Sequence, residues 1–222
     1  MKNKFVCLIV ALIILSLTVV SAHQPRIVLD QTASEQLPII VSAPEISQAF
    51  YGQFNEGPQY YSISSEKDFD LYLNVLVPDI RSAAAEVSFE VYKGNELIIA
   101  KDGIDFAWSK FYEEFGGDDY WKGPELRQQM SAGSYLIKVF SSDGNGKYVF
   151  AVGETESFAP FDMLKTICSL PALKRDFFEK SPLTAYFNKT GEYMLIFLIS
   201  AAAVVMAVVW AVKKTCRKKK RR

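Results

Sequence analysis

Two adjacent carboxylates, Glu113 and Glu114, sit among Trp108, Phe111, Tyr112, Phe115, Tyr120 and Trp121, in a stretch (101–127) that also carries Asp118, Asp119 and Glu125. Glycoside hydrolysis runs on two carboxyl groups, but they must flank the scissile bond, about 5–9 Å apart. Neighbours in sequence seldom do so. Aromatic faces interleaved with carboxylates are also the make-up of a sugar-binding surface, where rings stack on sugar faces and carboxylates accept hydroxyl hydrogen bonds. Trp108, Tyr112, Tyr120, Trp121, Glu113 and Glu114 are therefore the candidate ligand-binding residues. Core packing is the plainer reading of each aromatic taken singly, and is expected for more than half. Trp121, next to Lys122 and the Gly123-Pro124 turn signal, is the one expected to be most exposed.

The same carboxylates raise the question of a cation. Ca²⁺ takes six to eight oxygen ligands, which carboxylates, amide carbonyls and turn backbone supply. Asp118, Asp119 and Glu125 form one candidate group, and Asp143 with Asn145 in the segment SSDGNGK a second. Neither has the twelve-residue spacing of an EF-hand loop. At Asp143 a simple hairpin turn is the preferred reading; at Asp118–Asp119 a solvated loop and a metal site both stay open.

Other chemistry is closed off by composition. His23 is the only histidine, and no Ser-His or Cys-His pair is expected within the chain. Zinc needs clustered His or Cys ligands, and neither a P-loop nor a dinucleotide fingerprint occurs. Were the chain cut after Ala22, the His23 amine and ring would suit copper, but the second histidine of a copper oxygenase is missing. No enzyme is expected. Of the three cysteines, Cys7 and Cys216 lie in the terminal segments, leaving Cys168 without an intramolecular partner; a small buried hydrophobe or an interchain link are its two readings.

The elements that must position these residues are short strands. Phe69, Leu71, Leu73, Val75 and Val77 alternate with Asp68, Asp70, Tyr72 and Asn74, the period-two pattern of a half-buried strand ended by Pro78. Val87, Phe89 and Val91 alternate likewise before the turn Lys93-Gly94-Asn95-Glu96 and a return over 97–100. Tyr135, Ile137 and Val139 line another strand; after SSDGNGK, Tyr148, Phe150 and Val152 line the returning one. Weaker strands near 46–54 and 59–63 bring the total to seven or eight. Regular short strands with turn signals, and no internal repeat, predict an all-β, antiparallel β-sandwich. Residues 101–127 read as a long loop without clear periodicity, in which a short helix over 106–115, ended by Gly116-Gly117, stays open.

The flanks predict a membrane protein. Residues 193–212 contain no charge, Pro or Gly, and as a helix they cover roughly 30 Å, the hydrocarbon thickness of a bilayer. The tail behind them holds eight basic residues, and Lys2 and Lys4 precede an apolar run ending in Val20-Ser21-Ala22, the pattern of a secretory signal. Between residues 23 and 212 there remain 15 basic residues against all 25 acidic ones. Basic flanks stay cytoplasmic, so the acidic part is expected outside, at the cell membrane, with the tail inside. So acidic a domain is not expected to bind nucleic acid, which needs a positive surface. Residues 158–180 show apolar spacing for two short amphipathic helices divided by Pro171, either on the bilayer interface or against the sandwich. Asn188-Lys189-Thr190 fits a glycosylation acceptor.

The run PQYYSISSEKDFDLYLNVLVPD, then VSFEVYKGNELI, then MSAGSYLIKVFSSDGNGKYVFAVGE resembles the bacterial pre-peptidase C-terminal domain. Its most recognisable piece is the small residue and glycine before an aromatic strand, here Ala132-Gly133-Ser134-Tyr135, with a Tyr-containing strand around Tyr148 after the next turn. The resemblance spans about residues 45–153 and implies a jelly-roll-like sandwich serving as a non-catalytic binding or accessory module. No peptidase domain is expected ahead of it, which leaves a protease-accessory role open. The expected organisation is a signal peptide (1–22), an extended lead-in (23–44), the sandwich ectodomain (45–157), an amphipathic juxtamembrane segment (158–192), one transmembrane helix (193–212) and a basic tail (213–222). The expected function is a non-enzymatic surface binding or adhesion module for a protein or glycan, calcium-stabilised in one version. The alternative is an accessory or structural subunit of a membrane complex.

Overall fold

The computed structural model describes residues 23–157 and 160–219; the expected signal segment lies outside them. The period-two stretches fold as strands, in chain order β1 (Gln24–Ile27), β2 (Ile39–Ile40), β3 (Gln48–Asn55), β4 (Gln59–Ser65), β5 (Phe69–Pro78), β6 (Ser88–Lys93), β7 (Glu96–Lys101), β8 (Ser109–Glu113), β9 (Asp118–Met130), β10 (Gly133–Phe140) and β11 (Asn145–Val152). They form a six-stranded sheet, β1-β3-β11-β5-β9-β8, and a five-stranded sheet, β2-β4-β10-β6-β7. The chain passes between the sheets at every connection except the hairpins β6–β7 and β8–β9, the connectivity of a jelly-roll-like sandwich. SSDGNGK is accordingly not a hairpin turn: β10 pairs with β4 and β6, whereas β11 pairs with β3 and β5.

Between the sheets lie the inward rows. Phe69, Leu71, Leu73, Val75 and Val77 of β5 meet Phe89 and Val91 of β6 and Tyr135, Ile137 and Val139 of β10. At the centre the Tyr148 ring stacks on Phe54 with centroids 4.1 Å apart. Its hydroxyl meets that of Tyr61 at 2.7 Å, so each buried phenol satisfies the other. The ring lies flat on Gly52, where a Cβ would stand 2.7–2.9 Å from its atoms. Gly52→Ala is therefore expected to cost about 1–3 kcal/mol as an overpacked core, read as a lowered midpoint in denaturant titration.

Several expectations change. A Ser-His contact is present after all, the Ser47 hydroxyl meeting His23 Nδ1 beside β1. Cys168 is exposed, so the reading of it as a small buried hydrophobe does not hold. The lead-in is not simply extended: β1 and β2 add to the sandwich as parallel edge strands, on β3 and β4. The antiparallel sandwich is thus mixed at one side. The outer row of β5 is not solvated either, because Tyr72, Asn74 and Leu76 are buried. Asn74 Nδ2 donates to the carbonyls of Gly123 and Pro124, at 3.2 and 3.1 Å, where a bulge lets β9 carry a proline. Finally, residues 160–176 form one helix, α1 (Pro160–Asp176), that continues through Pro171. The proline removes one backbone hydrogen bond. Burial of Leu170, Leu173, Phe177 and Phe178 on the outer face of the six-stranded sheet offsets that loss; there they meet Ala49, Leu76, Tyr120, Val149 and Ala151. Of the two placements open for this segment, its C-terminal half takes the one against the sandwich. Among the described residues this compact unit extends from His23 to Ala185, within a 3-10 helix (Pro182–Tyr186).

The second unit is the helix α2 (Lys189–Lys219). Asn188 caps it, its side-chain oxygen accepting from the Gly191 N–H. Within Lys189–Trp210 its apolar stretch has a mean hydropathy of 2.5, so it is long and apolar enough to cross a membrane.

Candidate functional site

Residues 101–127 place the candidate residues on an edge of the sandwich rather than on a free loop. The segment compatible with a short helix holds the strand β8, which pairs antiparallel with β9 and forms the open edge of the six-stranded sheet. A turn at Gly116-Gly117 joins them; Gly117 has φ 71°, a conformation costly for other residues, and donates to the Glu113 carbonyl at 2.8 Å.

This geometry separates the candidate residues. Tyr112 and Phe111 stand outward, 54% and 41% exposed. Glu114 is exposed beside them. Trp108 packs against the core over Gly123, its Nε1 donating to the Gly103 carbonyl at 2.9 Å. Trp121, expected to be the most exposed, is half-buried on the core instead. Its Nε1 donates to Asp79 at 3.3 Å and the Lys110 ammonium stands 5.0 Å over its ring. Tyr120 is buried under α1, its hydroxyl 3.4 Å from that of Tyr51. The exposed apolar side chains on this part of the chain are Phe111 and Tyr112 of β8, Ile104 and Phe106 of the preceding loop, and Leu97 and Ile98 of β7, an edge strand of the other sheet; Leu37 and Ile40, beside and on the opposite edge strand β2, are exposed as well.

The carboxylates proposed for calcium are also dispersed. Asp143 Oδ1 accepts from the Ser141 hydroxyl and the Asn145 N–H, at 3.1 and 3.2 Å, and Asn145 Nδ2 closes the turn on the Asp143 carbonyl. Glu125 pairs with Lys122 and Arg127 at 2.7 and 3.0 Å. Asp119 is exposed on β9. Among the described residues, no three His, Cys, Asp or Glu side chains are arranged to hold a metal ion.

Asp118 has partners of another kind. It is buried beneath α1, where Oδ2 accepts from Lys174 at 2.5 Å and Oδ1 from Lys180 at 2.9 Å. Both carboxylate oxygens thus face ammonium groups and none faces an open cation site. Lys174 also donates to the Gly116 carbonyl at 2.5 Å. Burial lowers the Lys174 pKa, opposed by its hydrogen bond to Asp118. Beside them Glu113 accepts from the N–H groups of Phe115 and Gly116 at 2.7 and 2.6 Å. Burial still raises its pKa, the two backbone donors opposing and the neighbouring Asp118 charge adding.

A carboxyl whose pKa rises on folding holds its proton more tightly in the folded state. Stability therefore declines as pH increases from the ordinary value of 4.5 through the raised one. Glu113→Gln is expected to flatten that decline, measured by thermal melts of both chains from pH 4 upward. Lys174 and Lys180 were not singled out from sequence. The available signal was a lysine on the apolar face, Lys174 falling between Leu170, Leu173 and Phe177 at helical spacing.

No family model matches the chain, and a sequence search of curated proteins finds no match either. Among solved structures, the pre-peptidase C-terminal domain of a Bacillus anthracis collagenase is similar over 54% of this chain and 95% of its own, with a TM-score of 0.34 and 8% identity. A family 35 carbohydrate-binding module from an environmental isolate is similar over 51% of this chain and 80% of its own, with a TM-score of 0.27 and 16% identity. The catalytic domain of a GH87 alpha-1,3-glucanase, in complex with tetrasaccharides, is similar over 46% of this chain and 21% of its own, with a TM-score of 0.27 and 8% identity. All three likenesses are distant.

Proposed function

We propose that this protein is a non-enzymatic binding module held at the cell surface by α2, engaging a protein or glycan along the open β7–β8 edge. The observation that carries the reading is the exposure of aromatic side chains on the edge strand β8, Phe111 and Tyr112 being 41% and 54% exposed. An open edge strand offers unpaired backbone groups to an added strand, and exposed rings offer stacking faces; proteins ordinarily cover or charge such edges. The apolar helix and the basic tail support the membrane placement. The alternative, a subunit of a membrane complex held through 161–178 and α2, loses part of its surface, because Leu170, Leu173, Phe177 and Phe178 already pack on the chain's own sheet.

The test uses full-length protein in nanodiscs, on a glycan array and in cells with a photo-crosslinking side chain at position 111 or, as control, at 55. Glycan binding lost in Phe111→Ser with Tyr112→Ser, or adducts from position 111 but not 55, is the expected result. No glycan bound and no adduct specific to position 111 would overturn the reading. The double substitution is expected to weaken binding at least tenfold, about 1.4 kcal/mol or more, as loss of two aromatic anchors does.

A further inference from the structure

Among the described residues one ion pair is buried at both ends: the Lys174 and Asp118 side chains are only 1% and 3% exposed, with Nζ and Oδ2 2.5 Å apart. Lys147–Glu179, for comparison, leaves its carboxylate 48% exposed. From this geometry we infer that Lys174 and Asp118 are joined by an intramolecular isopeptide bond, made by condensation of the Lys174 amine with the Asp118 carboxyl. The inference is independent of the edge-binding reading.

The surroundings supply what the condensation needs. The amine lies among rings, Nζ 5.2 Å from the Phe178 centroid, with Tyr120 and Phe177 in the same apolar cluster. Burial there favours the neutral amine, in keeping with the lowered Lys174 pKa. A proton passing from Nζ to Oδ2 along their hydrogen bond gives both reactants at once. The Lys180 ammonium, 2.9 Å from Oδ1, is the donor for the charge that develops on that oxygen. Glu113 Oε2 and Asp118 Oδ2 flank Gly116, where a Cβ would stand 2.8 Å from one and 3.1 Å from the other. Only a glycine there leaves room for both carboxyls. Burial holds the Glu113 carboxyl protonated to higher pH, as suits a group that carries a proton.

The steps balance. After the first proton transfer the neutral amine attacks Cγ, forming the C–N bond, and negative charge collects on Oδ1 beside Lys180. The nitrogen gives up one further proton, Glu113 carries it to Oδ2, and Oδ2 leaves with two protons as water while the Cγ–Oδ1 double bond re-forms. Ammonium plus carboxylate has become amide plus water, with no oxidant or co-reactant. In free solution this condensation runs against bulk water. Fixed, oriented partners act at effective concentrations of about 10⁵–10⁸ M, and the apolar cover keeps water from reversing the step.

The test is mass spectrometry of the full-length protein purified in detergent. The expected result is a chain lighter than its sequence by one water molecule, yielding on proteolysis a branched peptide joining Lys174 to Asp118. Lys174→Arg and Asp118→Ala are expected to abolish both signs, and Glu113→Gln to leave most chains unlinked while circular dichroism stays that of the wild type. Wild-type protein that is folded by hydrogen-exchange protection, yet has an unmodified mass and both peptides free, overturns the inference. So does a lost water mapped to another pair. A Glu113→Gln chain that links as fast as the wild type overturns the role given to Glu113.

Discussion

Asp118→Ala is expected to destabilise the sandwich unit by about 3–5 kcal/mol, the usual loss when one partner of a buried ion pair is removed. For a unit of this size that lowers the melting temperature by on the order of 10 °C. The cost comes from what is stranded: Lys174, 1% exposed, keeps only the Gly116 carbonyl, and Lys180 loses its acceptor. Lys174→Met is expected to cost less, because Asp118 keeps Lys180 and the methionine fills the apolar space over Phe178. A covalent link, where formed, is lost from both variants alike, so the ordering stands. Circular dichroism melts of the three proteins in one detergent check it; equal midpoints for Asp118→Ala and wild type would sink the claim that this contact holds α1 in place.

Ending the soluble portion at Ser157 instead of Ala185 is expected to make it aggregate. Without α1 and the residues behind it, Leu76, Tyr120, Val149 and Ala151 lose their cover on the six-stranded sheet. Exposed contiguous apolar surface of that kind drives association. A milder version is Phe177→Ala. Its ring is fully buried, edge-on to Tyr51 at 5.0 Å and to Phe178 at 4.9 Å, and removing it is expected to cost about 3–5 kcal/mol. Size-exclusion chromatography of fragments 23–157 and 23–185 is the check. Two equally monodisperse fragments would mean that α1 is not part of the folded unit.

The strands most legible in the sequence were those whose alternation is enforced by one buried face. Phe69 to Val77, Phe89 with Val91, and Tyr135 to Val139 all point into the inter-sheet core as their spacing required. β8 was illegible because an edge strand of five residues, nearly all exposed, has no alternation to enforce; Phe111, Tyr112 and Phe115 happen to match helical spacing instead. β1 and β2 were lost in the lead-in because each pairs on one side only. The aromatics around 108–121 announced a surface but not which rings it keeps. That choice depends on Gly103, Gly123 and Asp79, whose approach to Trp108 and Trp121 is tertiary. The Lys174–Asp118 contact closes over 56 residues, beyond any local pattern.

That contact also fixes how the protein bears tension. The chain leaves the sandwich through β11, runs along α1, and only then reaches α2. A pull between sandwich and α2 therefore arrives first at buried Ala185 of the 3-10 helix, then at Lys180, Phe178 and Phe177, before it can reach any strand ladder. With ionic partners alone, α1 peels away group by group at low force, leaving the eleven strands intact and paying out slack chain. With Lys174 bonded to Asp118, the pull bypasses α1 and enters β9, a strand held between β5 and β8. One amide would then separate a yielding tether from a stiff one.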